Sequence, residues 1–220
     1  DWFLRQADGE LYKLRDFAGF LDLSQPGPRA FLDRSLEVIL GEWGMEALKM
    51  DFWSHAFEAR TARMRRPAAN ALDSRRILFD TVRKYLPDDG VFMTCCAVGM
   101  GSPFLATHAD TFRNTIDIGG GTWNQQYWAS YWALPTLGLP GRKSYLHNND
   151  SVGVNLDYDD NENYFRLTWG FVTQGMQEIG GQLEKLTDEY VRAVRKYTDR
   201  CDRGYRCICP AAGALCHVSR

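Results

Sequence analysis

Ala-Leu-Lys-Met-Asp-Phe-Trp, at residues 47–53, alternates in character along its length. In an extended strand every second side chain shares a face, which groups Lys49, Asp51 and Trp53 opposite three apolar residues. Burying a charge is costly unless the charge is paired, so such a strand needs a reason. We interpret it as a strand whose carboxyl end presents Asp51 to a polar cavity, with Lys49 favouring the ionised form. The alternative is an edge strand with one solvated face.

Strands and helices are predicted to alternate on both sides of this stretch, as in βαβ units, which form parallel sheets. The predicted strands cover residues 19–24, 47–53, 91–98, 113–119, 143–155 (with a loop) and 175–181. The predicted helices cover residues 29–42, 71–86, 123–132, 161–173 and 186–197. In the third of these helices, Trp123, Trp128 and Trp132 are expected to lie mostly in the core.

The repeated units predict a TIM-type (β/α)8 barrel rather than an open sheet. No glycine fingerprint for dinucleotides and no P-loop is present, which disfavours a doubly wound fold. A complete barrel has roughly 250 residues, and about six strands are predicted here, so we expect a barrel truncated at its N-terminus.

The composition argues against several classes of partner. The formal net charge is −2, which favours neither nucleic acid nor an anionic membrane. No apolar run approaches the roughly 18 residues that a membrane span needs. The adjacent Cys95 and Cys96 would point to opposite faces of a strand and are poor disulfide partners, which favours the cytoplasm. A homo-oligomer is left open.

A second group of functional residues lies at 113–117, where the same alternation places Arg113, Thr115 and Asp117 on one face. Asp117 follows Asp51 by about two βα units, so the two carboxylates would face each other across a barrel mouth. Glycosidic bond cleavage requires such a pair: one carboxylate attacks the sugar and the other protonates the leaving oxygen. Lys49 suits Asp51 to the anionic role.

Three further side chains have open roles in this site. Arg113 would oppose proton donation by Asp117, so we expect that it points elsewhere or that burial outweighs it. Asp150, at a predicted strand end, is a candidate partner for a sugar hydroxyl. Trp53 either stacks on a sugar ring or packs in the core.

Several motifs in order resemble the retaining α-galactosidases of glycoside hydrolase clan D, families 36 and 27. They include Asp-Leu-Ser-Gln-Pro at 22–26, Glu-Trp-Gly at 42–44 and Leu-Lys-Met-Asp-Phe at 48–52. In these enzymes a Lys-x-Asp at the end of the fourth barrel strand carries the nucleophile, which implies that role for Asp51. Their Cys-x-x-Gly segment after the fifth strand matches Cys96 and Gly99.

The two families imply different acid/base residues. The family 27 motif Trp-Arg-Asn-x-x-Asp-Ile is similar to Phe-Arg-Asn-Thr-Ile-Asp-Ile at residues 112–118, which selects Asp117. The family 36 pattern, a Ser-Asp pair preceding an Arg, would select Asp110. We prefer Asp117. The N-terminal β-domain and early strands of family 36 have no counterpart, and residues 96–117 are short for a helical crossover.

The resemblance implies a glycosidase domain over residues 1–198 that releases terminal α-linked galactose from an oligosaccharide or other α-galactoside by double displacement. No metal or organic cofactor is needed for this reaction. Catalysis is assigned to Asp51 and Asp117, and substrate binding to Lys49, Trp53, Cys96, Gly99, Arg113 and Asp150.

Two kinds of alternative remain beside this interpretation. One is an α-glucosidase or transglycosidase on the same barrel, and the other is a non-catalytic carbohydrate-binding relative or an inactive fragment. The Cys-rich residues 199–220 are expected to form an irregular tail, because their Cys and His spacings fit no standard zinc site.

Overall fold

The computed structural model forms two compact units, which we call the first unit (residues 1–98 with 107–109) and the second unit (residues 99–106 with 110–220). The structure describes residues 1–13, 19–53, 62–66, 70–95, 107–113, 117, 122–137, 146–151, 159–173, 176–178, 180 and 182–201. Of the irregular tail predicted over residues 199–220, residues 199–201 are helical and residues 202–220 lie outside the described residues. A single barrel domain over residues 1–198 stays a prediction.

The first unit contains a parallel strand pair with helices before and between its strands. Its elements are α1 (Pro26–Leu36), a π-helical continuation (Glu37–Glu42), β1 (Ala47–Met50), α2 (Ala71–Tyr85) and β2 (Val91–Thr94). β1 and β2 run parallel, with Ala47 opposite Val91 and Met50 opposite Thr94. The N–H of Cys95 then donates to the carbonyl of Met50 at 2.8 Å, which extends the ladder by one residue.

Local sequence signals explain where these helices begin and end. α1 starts at Pro26, which needs no hydrogen-bond acceptor for its nitrogen in the first turn. After the π-helical segment, Gly44 adopts φ +66°, a left-handed conformation that glycine tolerates. The side chain of Asn70 caps α2 by accepting a hydrogen bond from the N–H of Asp73 at 3.0 Å. The predicted helices over residues 29–42 and 71–86 are therefore confirmed to within a few residues.

An aromatic cluster forms the core of the first unit. Phe79 of α2 and Phe92 of β2 are fully buried, with ring centroids 5.2 Å apart. Trp53 packs edge-on against Phe79 at 4.9 Å, and the guanidinium of Arg75 lies over the indole ring. This cluster packs α2 against β2 and against the residue Trp53 that follows β1.

The predicted strand over residues 19–24 is wrong as a member of a parallel sheet. In the described part of the chain, Gly19 and Leu21 form isolated antiparallel bridges, with Lys13 and Phe3 respectively. The apolar spacing alone could not distinguish these pairings, because antiparallel and parallel strands share the same period. The segment then turns at Asp22, which is buried.

Asp22 links this turn to a distant stretch of the chain. Its carboxylate accepts hydrogen bonds from the N–H of Ser24 at 3.0 Å, the Gln25 amide at 3.0 Å and the N–H of Arg65 at 2.8 Å. Burial would raise the pKa of Asp22, but these hydrogen bonds outweigh it and hold the pKa below its ordinary value of 3.8.

The second unit contains a three-stranded parallel sheet. Its elements are β3 (Thr111–Arg113), α3 (Trp123–Leu137), β4 (Leu146–Ser151), α4 (Asp160–Thr173), β5 (Met176–Glu178), a 3₁₀ turn (Leu183–Lys185) and α5 (Asp188–Cys201). β4 is the central strand, with Arg113 of β3 opposite Asn148 on one side and Glu178 of β5 opposite Ser151 on the other. α4 packs on β4, and Leu167 of α4 meets Tyr190 of α5 in a buried cluster.

Two predictions for this unit are wrong. The strand described there is Thr111–Arg113, whose three residues are all buried and show no alternation, and Asp117, predicted in the same strand, lies outside it. Trp123 and Trp128 are exposed, whereas Gln126 and Ser130 of the same helix are buried and hydrogen-bonded to each other at 2.9 Å. The side chain of Trp132 lies outside the described part.

Within each unit, parallel strands and intervening helices confirm the predicted βα architecture, while the truncated (β/α)8 barrel as a whole stays a prediction. Among the residues that the structure describes, no helix combines the length and apolar character that crossing a membrane requires.

Replacing Phe79 with Ala tests the aromatic core. We expect Phe79→Ala to lower the free energy of unfolding by about 3–5 kcal/mol, since a fully buried ring leaves a cavity. The matched control is Leu72→Ala on the exposed face of the same helix, where the expected change stays within about 0.5 kcal/mol. Urea denaturation followed by tryptophan fluorescence measures both, and equal losses would contradict the assignment of this core.

Replacing Asp22 with Asn tests the buried carboxylate. An amide nitrogen cannot accept the hydrogen bonds that Asp22 receives, so Asp22→Asn should destabilise the protein at pH 7 by about 1–3 kcal/mol. Because the folded pKa lies below the unfolded one, this stabilisation is present above about pH 4 and lost as pH falls through the folded value. The unfolding free energies of the unsubstituted chain and of Asp22→Asn, measured from pH 7 to 3, should therefore converge at low pH. The control Asp88→Asn changes an exposed carboxylate and should stay close to the unsubstituted chain throughout. A difference that grew on acidification would exclude this role for Asp22.

Candidate active site

The carboxyl end of β1 places Asp51 at the surface of the first unit. Lys49 is exposed and its neighbours Leu48 and Met50 are half-buried, so the predicted alternation is confirmed within the strand. The strand ends at Met50, three residues earlier than predicted. Asp51 is exposed, and its Oδ1 accepts a hydrogen bond from the N–H of Phe52 at 2.7 Å.

Phe52 leaves the strand in an unusual backbone conformation, with φ +52°. Among the described residues, the other non-glycine residue with a positive φ is Asp150, near the carboxyl end of β4. Such conformations cost of order 1–3 kcal/mol and cluster at functional sites. Both strained positions thus accompany strand ends that the sequence analysis had selected.

Trp53 does not share a strand face with Asp51, because β1 has already ended. Its side chain is 5% exposed and packs against Phe79, and its indole nitrogen has no hydrogen-bond partner among the described residues. The placement supports core packing over stacking on a sugar.

Three further predicted residues are Cys96, Gly99 and Asp110. Cys96 and Gly99 lie outside the described residues, next to the buried Cys95. Asp110, the alternative acid/base, is exposed immediately before β3 of the second unit.

Arg113 organises the corresponding edge of the second unit. It is the last residue of β3, and its side chain is 6% exposed. One guanidinium nitrogen, Nη2, forms an ion pair with Asp117, and the other, Nη1, lies 3.0 Å from Oδ1 of Asp150. Of the two alternatives that the sequence left open, that Arg113 points elsewhere or that burial outweighs its charge, the first is therefore wrong. The two side chains meet although Asp117 lies outside the described strand β3 and does not share a strand face with Arg113.

The two carboxylates on Arg113 differ in their surroundings. The Asp117 side chain is 76% exposed, whereas that of Asp150 is 12% exposed. The side chain of Gln125, in the first turn of α3, donates a hydrogen bond to the backbone carbonyl of Asp117 at 2.7 Å. Asp117 thus presents a carboxylate to solvent while its backbone and one oxygen are held from within the unit.

Two residues that the sequence analysis missed support Asp150. Oδ1 of the fully buried Asn148 accepts a hydrogen bond from the N–H of Asp150 at 2.7 Å. Its Nδ2 donates to the carboxylate of Glu178 in β5. The polar run His-Asn-Asn-Asp at residues 147–150, inside a parallel strand, was the signal that could have identified Asn148, since such strands are usually apolar.

The side chains at the ends of β3, β4 and β5 therefore form one connected polar network, which we call the Arg113 network. Its members are Asp117, Arg113, Asp150, Asn148 and Glu178. The exposed member, Asp117, is open to solvent and its charge is paired with the buried Arg113. The carboxyl ends of strands are also where TIM-barrel enzymes place their active sites.

Comparison with family models and with curated proteins gives no match. Solved structures that resemble the chain include several glycoside hydrolases. The α-galactosidase TtGalA from Thermus thermophilus, in complex with stachyose, matches with a TM-score of 0.61 and 15% identity, over 90% of this chain and 44% of that one. A family 27 β-L-arabinopyranosidase from Geobacillus stearothermophilus matches with a TM-score of 0.56 and 13% identity, over 80% of this chain and 42% of that one.

A third match is the family 36 α-galactosidase AgaA from Geobacillus stearothermophilus, in complex with 1-deoxygalactonojirimycin. Its TM-score is 0.59 at 13% identity, over 91% of this chain and 28% of that one. The chain thus spans less than half the length of each of these proteins. At such identities the likeness shows the fold alone, which is similar to part of the TIM-barrel glycosidases.

The unequal exposure of the two carboxylates predicts unequal effects on stability. Arg113→Met should cost about 3 kcal/mol or more, because it leaves the buried Asp150 charge without its ion pair. Asp117→Asn should cost less than about 1 kcal/mol, because the lost pair faces solvent. Chemical denaturation of the two variants measures the contrast, and a larger loss for Asp117→Asn would contradict this description of the network.

Proposed function

We propose that the chain carries the catalytic centre of a retaining glycoside hydrolase that releases terminal α-linked galactose. The observation that carries this proposal is the placement of Asp51 and Asp117. Each carboxylate is exposed and lies just beyond the carboxyl end of a parallel strand, in a fold similar to that of known glycosidases. Asp51 is the proposed nucleophile and Asp117 the proposed acid/base.

In the first step, the Asp51 carboxylate attacks the anomeric carbon of the α-galactoside while Asp117 gives its proton to the glycosidic oxygen. The bond between the anomeric carbon and that oxygen breaks, and the leaving group departs as an alcohol. The sugar remains bound to Asp51 as an ester of β configuration, because the attack came from the opposite face.

In the second step, Asp117 is a carboxylate and acts as the base. It takes a proton from a water molecule whose oxygen attacks the anomeric carbon, and the ester bond to Asp51 breaks. The second inversion restores the α configuration, and Asp117 regains its proton. Both half-reactions balance without a metal or an organic cofactor.

The proposed binding residues rest in part on charge and position and in part on the family resemblance. Lys49 is exposed two residues before Asp51 and favours its ionised form. Arg113 and Asp150 offer a donor and an acceptor near Asp117. Cys96, Gly99 and Trp53 remain proposed substrate contacts from the family resemblance, with packing the better-supported role for Trp53.

The proposed sugar is supported by the ligands of similar proteins. TtGalA was solved with stachyose and AgaA with 1-deoxygalactonojirimycin. A β-L-arabinopyranoside has the ring stereochemistry of an α-galactoside without its hydroxymethyl group, so it belongs in the same test. An α-glucoside discriminates the alternative glucosidase, and added acceptor alcohols reveal a transglycosidase.

Asparagine variants of the two carboxylates test the assigned roles with aryl α-galactosides. Asp51→Asn should lower kcat/KM by about four orders of magnitude on every substrate, since the covalent step is lost. Asp117→Asn should cost about 10²–10⁴-fold with poor leaving groups and much less with dinitrophenol, which departs without a proton. Asp110→Asn serves as the comparison that separates the two candidate acids.

Azide distinguishes the roles by product stereochemistry. With Asp51→Asn, azide attacks the substrate directly and one inversion yields the β-galactosyl azide. With Asp117→Asn, azide attacks the galactosyl ester and two inversions yield the α-galactosyl azide. Proton NMR of the products identifies each. If the unsubstituted chain binds galactose but hydrolyses none of the glycosides, a carbohydrate-binding relative replaces the proposed enzyme; if it does neither, an inactive fragment does.

A further inference from the structure

The Arg113 network contains a feature that the double-displacement mechanism leaves unexplained. A general acid must hold a proton in the resting enzyme, yet Asp117 is ion-paired with a guanidinium, which favours its ionised form. The same guanidinium also contacts Asp150, which is far less exposed. One cation is therefore divided between two carboxylates.

Charge balance shows what Asp150 contributes. When Asp150 is ionised, its charge offsets that of Arg113, so the guanidinium does less to keep Asp117 ionised. If Asp150 carried no charge, the guanidinium would act more strongly on Asp117, and protonation of Asp117 would be more costly. The less exposed pair is also the stronger one, because water screens it less.

The structure holds Asp150 in place for this contact. Its backbone adopts φ +66° and its N–H is bonded to Asn148, which in turn is bonded to Glu178. An aspartate with a positive φ is strained and keeps this conformation only where the surrounding structure holds it there. Three strands thus contribute to the placement of one carboxylate.

Other polar groups lie on the elements next to this contact. Glu178 of β5 adds a negative charge that acts in the same direction as Asp150. α3 contributes the uncharged Gln125, which contacts Asp117. α4, which packs on β4, contributes the buried Arg166, whose charge also acts on Tyr190. Burial is the larger influence there and raises the pKa of Tyr190 to about 12.

We infer that Asp150 is a positioning residue that acts through Arg113: by sharing the guanidinium, it keeps Asp117 able to hold the proton that the leaving group needs. The name acid/base for Asp117 rests on the proposed function, whereas the control of its protonation by Asp150 does not. This role differs from the predicted contact between Asp150 and a sugar hydroxyl.

Asp150→Asn is the decisive variant, because asparagine tolerates a positive φ and keeps the acceptor oxygen while removing the charge. We expect the titration midpoint of Asp117 to fall by about one pH unit, since Arg113 then acts on Asp117 alone. Carbon-13 NMR of the 220-residue chain with labelled aspartate carboxyls measures it, with the Asp117 signal assigned by its loss in Asp117→Asn. The control Asp188→Asn removes one exposed charge from the same unit and should leave the midpoint unchanged.

A midpoint in Asp150→Asn that is unchanged or higher than in the unsubstituted chain overturns the inference. If thermal melts show that Asp150→Asn does not fold, Asn148→Ala replaces it, because it removes the side chain that holds the Asp150 N–H and leaves the charges on Arg113, Asp117, Asp150 and Glu178 intact. A smaller fall in the same direction is then expected, and no fall overturns the inference.

Kinetics separates this inference from the proposed function. In Asp150→Asn the basic limb of the kcat/KM profile for a phenyl α-galactoside should move to lower pH, with a smaller rate loss for a dinitrophenyl leaving group. A change in KM alone, with an unmoved profile, would assign Asp150 to substrate contact instead. If the unsubstituted chain hydrolyses no glycoside, the proposed function fails, and the NMR titration still decides whether Asp150 controls Asp117.

Discussion

A buried guanidinium at the end of a strand is the constraint on which the second unit depends. Arg113 cannot lose its proton and is almost fully withdrawn from water, so the surrounding chain must supply negative charge. Asp150 supplies it from β4 and Asp117 supplies it from the segment after β3. The positive φ of Asp150 and its hydrogen bond to Asn148 accompany the placement of that carboxylate beside the cation. The chemistry proposed for Asp117 is built on this arrangement.

The first unit places its carboxylate by a different means. Packing among Trp53, Phe79 and Phe92 holds α2 against the strand pair, and the chain turns sharply at Phe52 to bring Trp53 into that core. Asp51 lies at the start of this turn and is therefore left at the surface. Hydrophobic burial of one neighbour and backbone strain at another thus determine the exposure of the proposed nucleophile.

Local signals predicted much of this structure. The helix over Ala71–Tyr85 follows from a capping asparagine, an apolar face and a terminating proline, all within one segment. The parallel strands β1 and β2 follow from the spacing of strand and helix patterns. The predictions were wrong where a strand is buried on both faces, and where a helix buries polar residues and exposes aromatic ones. β3 shows no alternation because every residue is buried, and α3 turns aromatic rings outward while burying Gln126 and Ser130.

The sequence by itself determined the alternation of helices and parallel strands from Ala47 onward, the position of Asp51 near the carboxyl end of a strand and the selection of Arg113, Asp117 and Asp150 as candidates. These depend on residue type and spacing over a few positions. Only the tertiary structure decided that Arg113 joins Asp117 to Asp150, that Asn148 and Glu178 support them, and that Trp53 is buried. Such contacts join residues on different strands or elements, and their formation depends on strand register and on the packing of whole elements, which no local pattern encodes.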